Sequence, residues 1–315
     1  MNKPSIDYGQ VSSPAFVIDQ KRLIRNLELI QRVQKKSGVK VILALKGFST
    51  WPLFPLVKKY LHGATASSLN EARLIYEEMG TQAHTYAPAY FKDDFEVLLS
   101  YSSHLTFNSL TQCEQYKNQI TDGVSIGLRV NPEYSEVETD LYNPAVLGSR
   151  LGVLSTQLPK VLPKGIDGLH LHTLCESSAK ATEQLIFALE AKFGKYLADL
   201  KWVNLGGGHL MTRMDYEVDY LIKVLYDFKR RYPHLEVLME PGSAIAWETG
   251  ELVSTVLDIV ESGGIKTAIV DVSFTAHMPD TLEMPYRPTI LGAKDTASGK
   301  YLYRIGGVSC LAGDF

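Results

Sequence analysis

The chain has 315 residues, 45% hydrophobic and 21% charged, with a net charge of −3 at pH 7. That length can bury one large α/β core or two domains, and the charge leaves no footprint for nucleic acid or an anionic membrane. No apolar run approaches the roughly 18 residues of a membrane span, and MNKPSIDYGQVSS lacks the apolar segment of a secretory signal.

PAFVID (14–19) reads as an isolated strand ahead of a first helix, KRLIRNLELIQRVQKKSG. Short apolar runs then alternate with helix-period segments: VKVILAL (39–45), HGATAS (62–67), AHTYAP (83–88), SHLTFNS (103–109), GVSIGLRVN (123–131), GIDGLHLHT (165–173), KWVNLGG (201–207) and LEVLMEPG (235–242). Amphipathic segments such as SLNEARLIYEEMG and YEVDYLIKVLYDFKRRY lie between them. Eight strands alternating with helices predict an α/β fold, a parallel (β/α)₈ TIM-type barrel. A doubly wound open sheet ranks lower, because no strand is followed by G-x-G-x-x-G. Residues 132–164 are long and rich in Pro, Asn and Gly, which predicts an excursion over the barrel mouth.

From about residue 251, apolar and polar residues alternate between Gly and Ser turns in ELVSTVLDIVESGGIKTAIVDVS and again in KYLYRIGGVS. This predicts an appended, mainly antiparallel β domain that the N-terminal strand joins. The expected division is a barrel at 20–250 and a β domain made of 1–19 and 251–315. The three cysteines, Cys113, Cys175 and Cys310, form no CxxC pair and no metal cluster. No metal is expected, and a reducing cytoplasm is the expected compartment.

In such a barrel the chemistry lies at the C-terminal ends of the strands. There the sequence puts Lys46 after the first strand and Arg129 and Asn131 at the fifth. His170 and His172 share one face of the sixth. Gly206, Gly207 and Gly208 precede His209 after the seventh, and Glu240-Pro241-Gly242-Ser243 follows the eighth. Taken singly, each has a bland reading: a lysine that snorkels to water, a hydrogen-bonded core histidine, a flexible turn, a rim salt bridge. Bare glycine amides at a turn can also close on a phosphate. A lysine, a histidine, a glycine loop and a glutamate on four strands would converge on one mouth.

The order PAFVID, ALKG, ASSLNEARL, HLHTLCE, LGGGH, MEPG, GVSCLAGD resembles the fold type III pyridoxal-phosphate decarboxylases of amino acids. HTLCE, LMEPGSAIAWETG and HMPDTLEMPYRP resemble the carboxynorspermidine (carboxyspermidine) decarboxylase branch in particular. The resemblance implies that Lys46 holds pyridoxal 5′-phosphate as an imine, a reaction favoured where burial disfavours the ammonium. It implies that Glu240 keeps the ring nitrogen protonated and that His172 stacks on the ring. Gly206, Gly207 and Gly208 match the phosphate loop, Cys175 stands where relatives carry a phosphate-binding serine, and Arg129 joins the cofactor site. Cys310 matches a cysteine that returns a proton to Cα. In relatives it does so across a dimer interface, so a homodimer with shared sites is implied.

The small-molecule substrate implied is a carboxylated polyamine, whose amines need acceptors at the far end of the pocket. Asp280, Glu283 and Asp314 are the available acids, with Ser243 beside them as a substrate-site candidate. Relatives acting on diaminopimelate or ornithine carry an arginine phosphate ligand where Ser243 stands, and an acid where Leu311 stands. Relatives also continue beyond CLAGDF with strands that bring a tyrosine to the cofactor, so the β domain is expected to be cut short here. Diaminopimelate or ornithine decarboxylation is the enzymatic alternative, and racemisation is disfavoured by the stacking His172. A non-catalytic carrier of the cofactor is the remaining alternative, against which residues 251–315 argue.

Overall fold

Eight short parallel strands close on themselves in the computed structural model, which describes residues 7–283, 286–294 and 301–315. The first strand is split into Lys40–Val41 and Leu43–Ala44. Its first part pairs with Glu236–Met239 and its second with Ala64–Ala66. From Ala64–Ala66 the sheet runs in parallel register through Ala83–Tyr86, Ser102–Phe107, Ser125–Asn131, Ile166–His170 and Trp202–Asn204 to Glu236–Met239. The strands match the eight apolar runs of the sequence, and the sheet is a barrel. Continuous apolar runs are what a strand buried on both faces requires, and every residue from Ile126 to Asn131 is buried.

The barrel interior is filled as well as its outside. Trp202 lies against two glycines, Gly168 on the adjacent strand and Gly127 on the next. A Cβ on Gly168 would sit 2.0 Å from Trp202 Cδ2, and one on Gly127 2.3 Å from Cη2. The indole Nε1–H donates to Ser125 Oγ at 2.9 Å, and Ile42 and Leu238 pack beside it. Three of the outer helices start at serine caps, which satisfy amides left open in a first helical turn. Ser68, Ser109 and Ser178 accept from the amides of Glu71, Gln112 and Ala181. The fifth strand is followed by no α-helix. Residues 132–164 instead hold two short 3₁₀ turns and the strand Val153–Leu154, which pairs with Val130 and Asn131. The helix Gln20–Ser37 buries Leu23, Leu27, Ile30 and Val33, and Asn26 donates to the carbonyls of Ile245 and Trp247.

The chain divides into two units, Lys21–Trp247 and a second made of Met1–Gln20 with Glu248–Phe315. In the second unit Ala15–Ile18 runs antiparallel to Gly250–Val253. Val256–Ser262 and Ile265–Val270 form a hairpin through Gly263 and Gly264, whose φ angles of 56° and 76° suit a two-residue hairpin turn. Val270, Val272 and Phe274 make a small core. The last strand, Arg304–Gly306, runs parallel to Ile265–Val270, not antiparallel as the sequence pattern suggested. The chain between them is long enough for a crossover and contains two short helices, Phe274–His277 and Asp280–Glu283. Met284 and Pro285 of HMPDTLEMPYRP, and Lys300 of KYLYRIGGVS, lie outside the described residues.

Candidate active site

Two turns at the C-terminal rim touch through backbone alone. Ala44 N–H donates to Pro241 O at 3.4 Å, and a Cβ on Gly47 would meet Gly242 Cα at 2.7 Å. Only glycine on both turns lets ALKG and EPG approach this closely, and the approach brings Lys46 and Glu240 into one narrow pocket. Thr65, Tyr86, Arg129, His170 and His172 line it with them. A larger cleft of ≈ 690 Å³ lies between Asn108 and the excursion around Arg150. It holds none of the groups just named, so the titratable side chains of the barrel mouth gather in the narrow pocket.

His172 is held on three sides. Gly207 N–H donates to its Nδ1 at 2.8 Å, Arg129 donates to its carbonyl at 2.9 Å, and its Nε2 lies 3.1 Å from Lys46 Nζ. Arg129 in turn sits over the Tyr86 ring, 4.6 Å from the centroid, and Tyr86 Oη donates to Asn108 Oδ1 at 2.9 Å.

Glu240 is 7% exposed, and both its oxygens are engaged. Asn204 Nδ2 donates to Oε1 at 2.7 Å, and His170 Nε2 lies 3.2 Å from Oε2. Asn204 also accepts the Gly206 amide through Oδ1 at 2.9 Å, so one side chain ties the glycine loop to the glutamate. Gly206 and Gly208 have φ of 71° and 87°. A Cβ on either would meet a carbonyl oxygen at 2.2 or 2.1 Å, so the loop admits only glycine there. Two of its three amides, those of Gly206 and Gly207, are already committed to Asn204 and His172.

These surroundings set the charges. Burial pushes the Lys46 pKa down although the side chain keeps contact with solvent; Arg129 adds to the effect and Glu240 opposes it. Burial, then Lys46 and Arg129, hold His172 well below the ordinary histidine range. Burial alone would raise the Glu240 carboxyl, but His170 and Asn204, the side chains bonded to its two oxygens, outweigh it and hold Glu240 below the usual carboxylate range. Burial also lowers His170, against the pull of Glu240.

The structure therefore brings Lys46, Arg129, His172, Glu240 and the loop of Gly206, Gly207 and Gly208 together. Cys175 is exposed on the segment that packs under Gly208, and its thiol is among the groups that bear on the charge of Lys46. Ser243 is exposed at the start of the short helix Ser243–Ala246. The remaining candidates belong to the second unit. Asp280 and Glu283 are exposed on their short helix, and Cys310 is exposed. Asp314 is buried, and its carboxylate accepts from the amides of Phe274, Thr275 and Ser309. Sequence reasoning missed Tyr86 and Asn204. Tyr86 ends the third strand, and the N-x-G spacing of Asn204 and Gly206 is the signal of an Asx turn. Among the described residues, no group of three or more His, Cys, Asp or Glu side chains is placed to hold a metal ion, and no helix is long and apolar enough to cross a membrane.

No family model matches the chain. Individual proteins do. The chain is 52% identical over 308 residues to carboxyaminopropylagmatine decarboxylase of Synechocystis sp., covering 98% of this chain and 80% of that protein. The chain belongs to the fold type III pyridoxal-phosphate decarboxylase family. It is 41% identical over 318 residues to carboxynorspermidine/carboxyspermidine decarboxylase of Campylobacter jejuni, covering 98% of this chain and 82% of that one. The crystal structure of carboxynorspermidine decarboxylase from Campylobacter jejuni, complexed with norspermidine, superposes with a TM-score of 0.84 at 39% identity. That match covers 96% of this chain and 82% of the other.

Proposed function

We propose that the protein decarboxylates the amino-acid end of a carboxylated polyamine with pyridoxal phosphate, and that its substrate is carboxyaminopropylagmatine. The observation that carries the reading is the joint placement of Lys46, His172, Glu240 and a glycine-only loop in one pocket of a chain so similar to the Synechocystis decarboxylase. The donor set fits the cofactor: an amine for its aldehyde, an ionised carboxylate for its ring nitrogen, and a flat imidazole for its ring. The loop has no room for side chains, because the backbone of Leu171, Glu240 and Leu174 lies against it. When bound, pyridoxal phosphate supplies a sink for the electron pair that the departing carboxylate leaves behind.

The residues do the rest. Lys46 would hold the cofactor through its side-chain amine. Glu240, kept ionised by His170 and Asn204, favours a protonated ring nitrogen. His172 would pack against the ring of the cofactor, and Arg129 fixes the His172 backbone. Cys310 is the proton donor at Cα in this reading, delivered by a partner subunit of a homodimer, and its exposure is compatible with that role. Asp280 and Glu283 are the exposed acids that this reading assigns to a cationic tail. The local bonds of Asp314 leave it less free to take part.

Carboxynorspermidine and carboxyspermidine remain the second reading, favoured by the identity to the Campylobacter enzyme. The deciding experiment is kcat/KM on carboxyaminopropylagmatine, carboxynorspermidine, carboxyspermidine, meso-diaminopimelate and ornithine in parallel. The guanidinium-tailed substrate should rank first. A ranking led by diaminopimelate or ornithine would refute the polyamine reading altogether.

A further inference from the structure

The glycine loop meets His172 through a contact whose polarity is fixed by the backbone. Gly207 N–H faces His172 Nδ1 at 2.8 Å, and an amide N–H only donates. Nδ1 therefore carries a lone pair. Turning the ring over would put the amide against Cδ2–H, and an imidazolium would put N–H against N–H. The ring proton is left on Nε2, which is 3.1 Å from Lys46 Nζ. An Nε2–H group donates, so Nζ must accept. Only an uncharged amine has a lone pair for that; an ammonium is all donors.

We propose that Gly207 and His172 form a tautomer lock that holds Lys46 as its free-base amine. His172 is then a positioning residue for the attack of Lys46 on a carbonyl carbon. In that attack the Nζ lone pair forms the C–N bond, both amine protons leave with the carbonyl oxygen as water, and C=N remains. No proton has first to be removed from an ammonium. The loop of Gly206, Gly207 and Gly208 thus acts on the lysine through the imidazole, besides whatever it offers a phosphate.

The surroundings keep the lock in place. Arg129 pins the His172 carbonyl at 2.9 Å. A Cβ on Gly206 would lie 2.9 Å from His172 Cβ, and one on Gly207 3.1 Å from Cε1, so ring and loop are in contact along one side. The groups that bear on the charge of Lys46 come from several elements: Glu240, Cys175 and Glu71 favour the ammonium, while burial and Arg129 oppose it. Around His172, burial, Lys46, Arg129 and His170 all disfavour a second ring proton, and Glu240 alone favours it.

The inference rests on reading Lys46 as the amine that captures a carbonyl, but its test needs neither cofactor nor substrate. Histidine ¹⁵N spectra, with His172 assigned by its loss in His172→Gln, should show an unprotonated Nδ1 and a proton-bearing Nε2 at neutral pH. The reverse tautomer would overturn the proposal. Acetic anhydride labelling, read by peptide mass spectrometry across pH, should give Lys46 a lower midpoint than the other exposed lysines. His172→Phe removes the donor, and labelling of Lys46 at neutral pH should fall about tenfold, equivalent to one pH unit of midpoint. His172→Gln offers both an acceptor to Gly207 and a donor to Lys46, and should restore most of the loss. A midpoint unchanged in His172→Phe would overturn the proposal. Failure of the substrate panel would leave all of these readouts intact.

Discussion

Gly47→Ala tests how the site is assembled. The new Cβ would stand 2.7 Å from Gly242 Cα and 2.9 Å from its carbonyl carbon. Both are backbone atoms that cannot rotate away. Ordinary contact begins at 3.4 Å, so the lysine and glutamate turns must part by roughly 0.7 Å. The Ala44 to Pro241 hydrogen bond, already 3.4 Å long, would be lost. A misplacement of about 1 Å at a reacting centre costs on the order of 10²-fold, so kcat should fall by roughly 30- to 100-fold. Overpacking of this kind costs only about 1–3 kcal/mol of stability, so the variant should still fold. The assay is kcat on the best substrate, beside a thermal melt and the visible absorbance of bound cofactor. A folded Gly47→Ala with kcat within twofold of the parent would show that the approach of the two turns is not what positions Lys46.

Gly168→Ala puts a Cβ 2.0 Å from Trp202 Cδ2, and should cost about 1–3 kcal/mol or more in urea unfolding; an unchanged midpoint would mean that the indole does not fill the barrel as described. Asn204→Ala leaves a Glu240 oxygen and the Gly206 amide without partners, at about 1–3 kcal/mol for each buried group. It should lower the urea midpoint and weaken cofactor binding together, and retention of both would count against Asn204 as the tie between loop and glutamate. His209 is 1% exposed, neither ring nitrogen has a partner, and burial lowers its pKa to about 4. A histidine pKa depressed by folding contributes stability that is full above its unfolded value near 6.5 and is lost as pH falls toward 4. His84, lowered to about 3, continues the loss below that. His209→Leu should flatten the decline by about 3 kcal/mol between pH 7 and 4, and parallel pH profiles for parent and variant would contradict the burial argument.

The barrel was readable because most of its strands are short runs rich in apolar residues that alternate with helix-period segments, and because strand order in a parallel barrel follows chain order. The convergence of Lys46, His172, the glycine loop and Glu240 was readable for the same reason, since all four follow barrel strands. What joins them was not. The contact of Gly47 with Gly242 depends on barrel closure between the first and eighth strands. The stacking of Arg129 on Tyr86 depends on side chains meeting across the barrel. Neither distance is encoded locally. The missing helix after Asn131 was foreshadowed by the Pro, Asn and Gly content of residues 132–164. The parallel pairing of Arg304–Gly306 was not, because an alternating pattern fixes which face is buried and leaves strand direction open. Asp314 offered the sequence an acid near the end of the chain; only the fold shows that three backbone amides already hold it.

The central claim is that Lys46 serves the loss of a carboxylate from a polyamine amino acid. The direct measurement is release of labelled CO₂ from α-carboxyl-labelled carboxyaminopropylagmatine by the cofactor-loaded parent and by Lys46→Ala. Sustained release by the parent is expected, with at least a thousandfold less by the variant, on the order expected when a covalent nucleophile is removed. Equal release by the two proteins would contradict the claim.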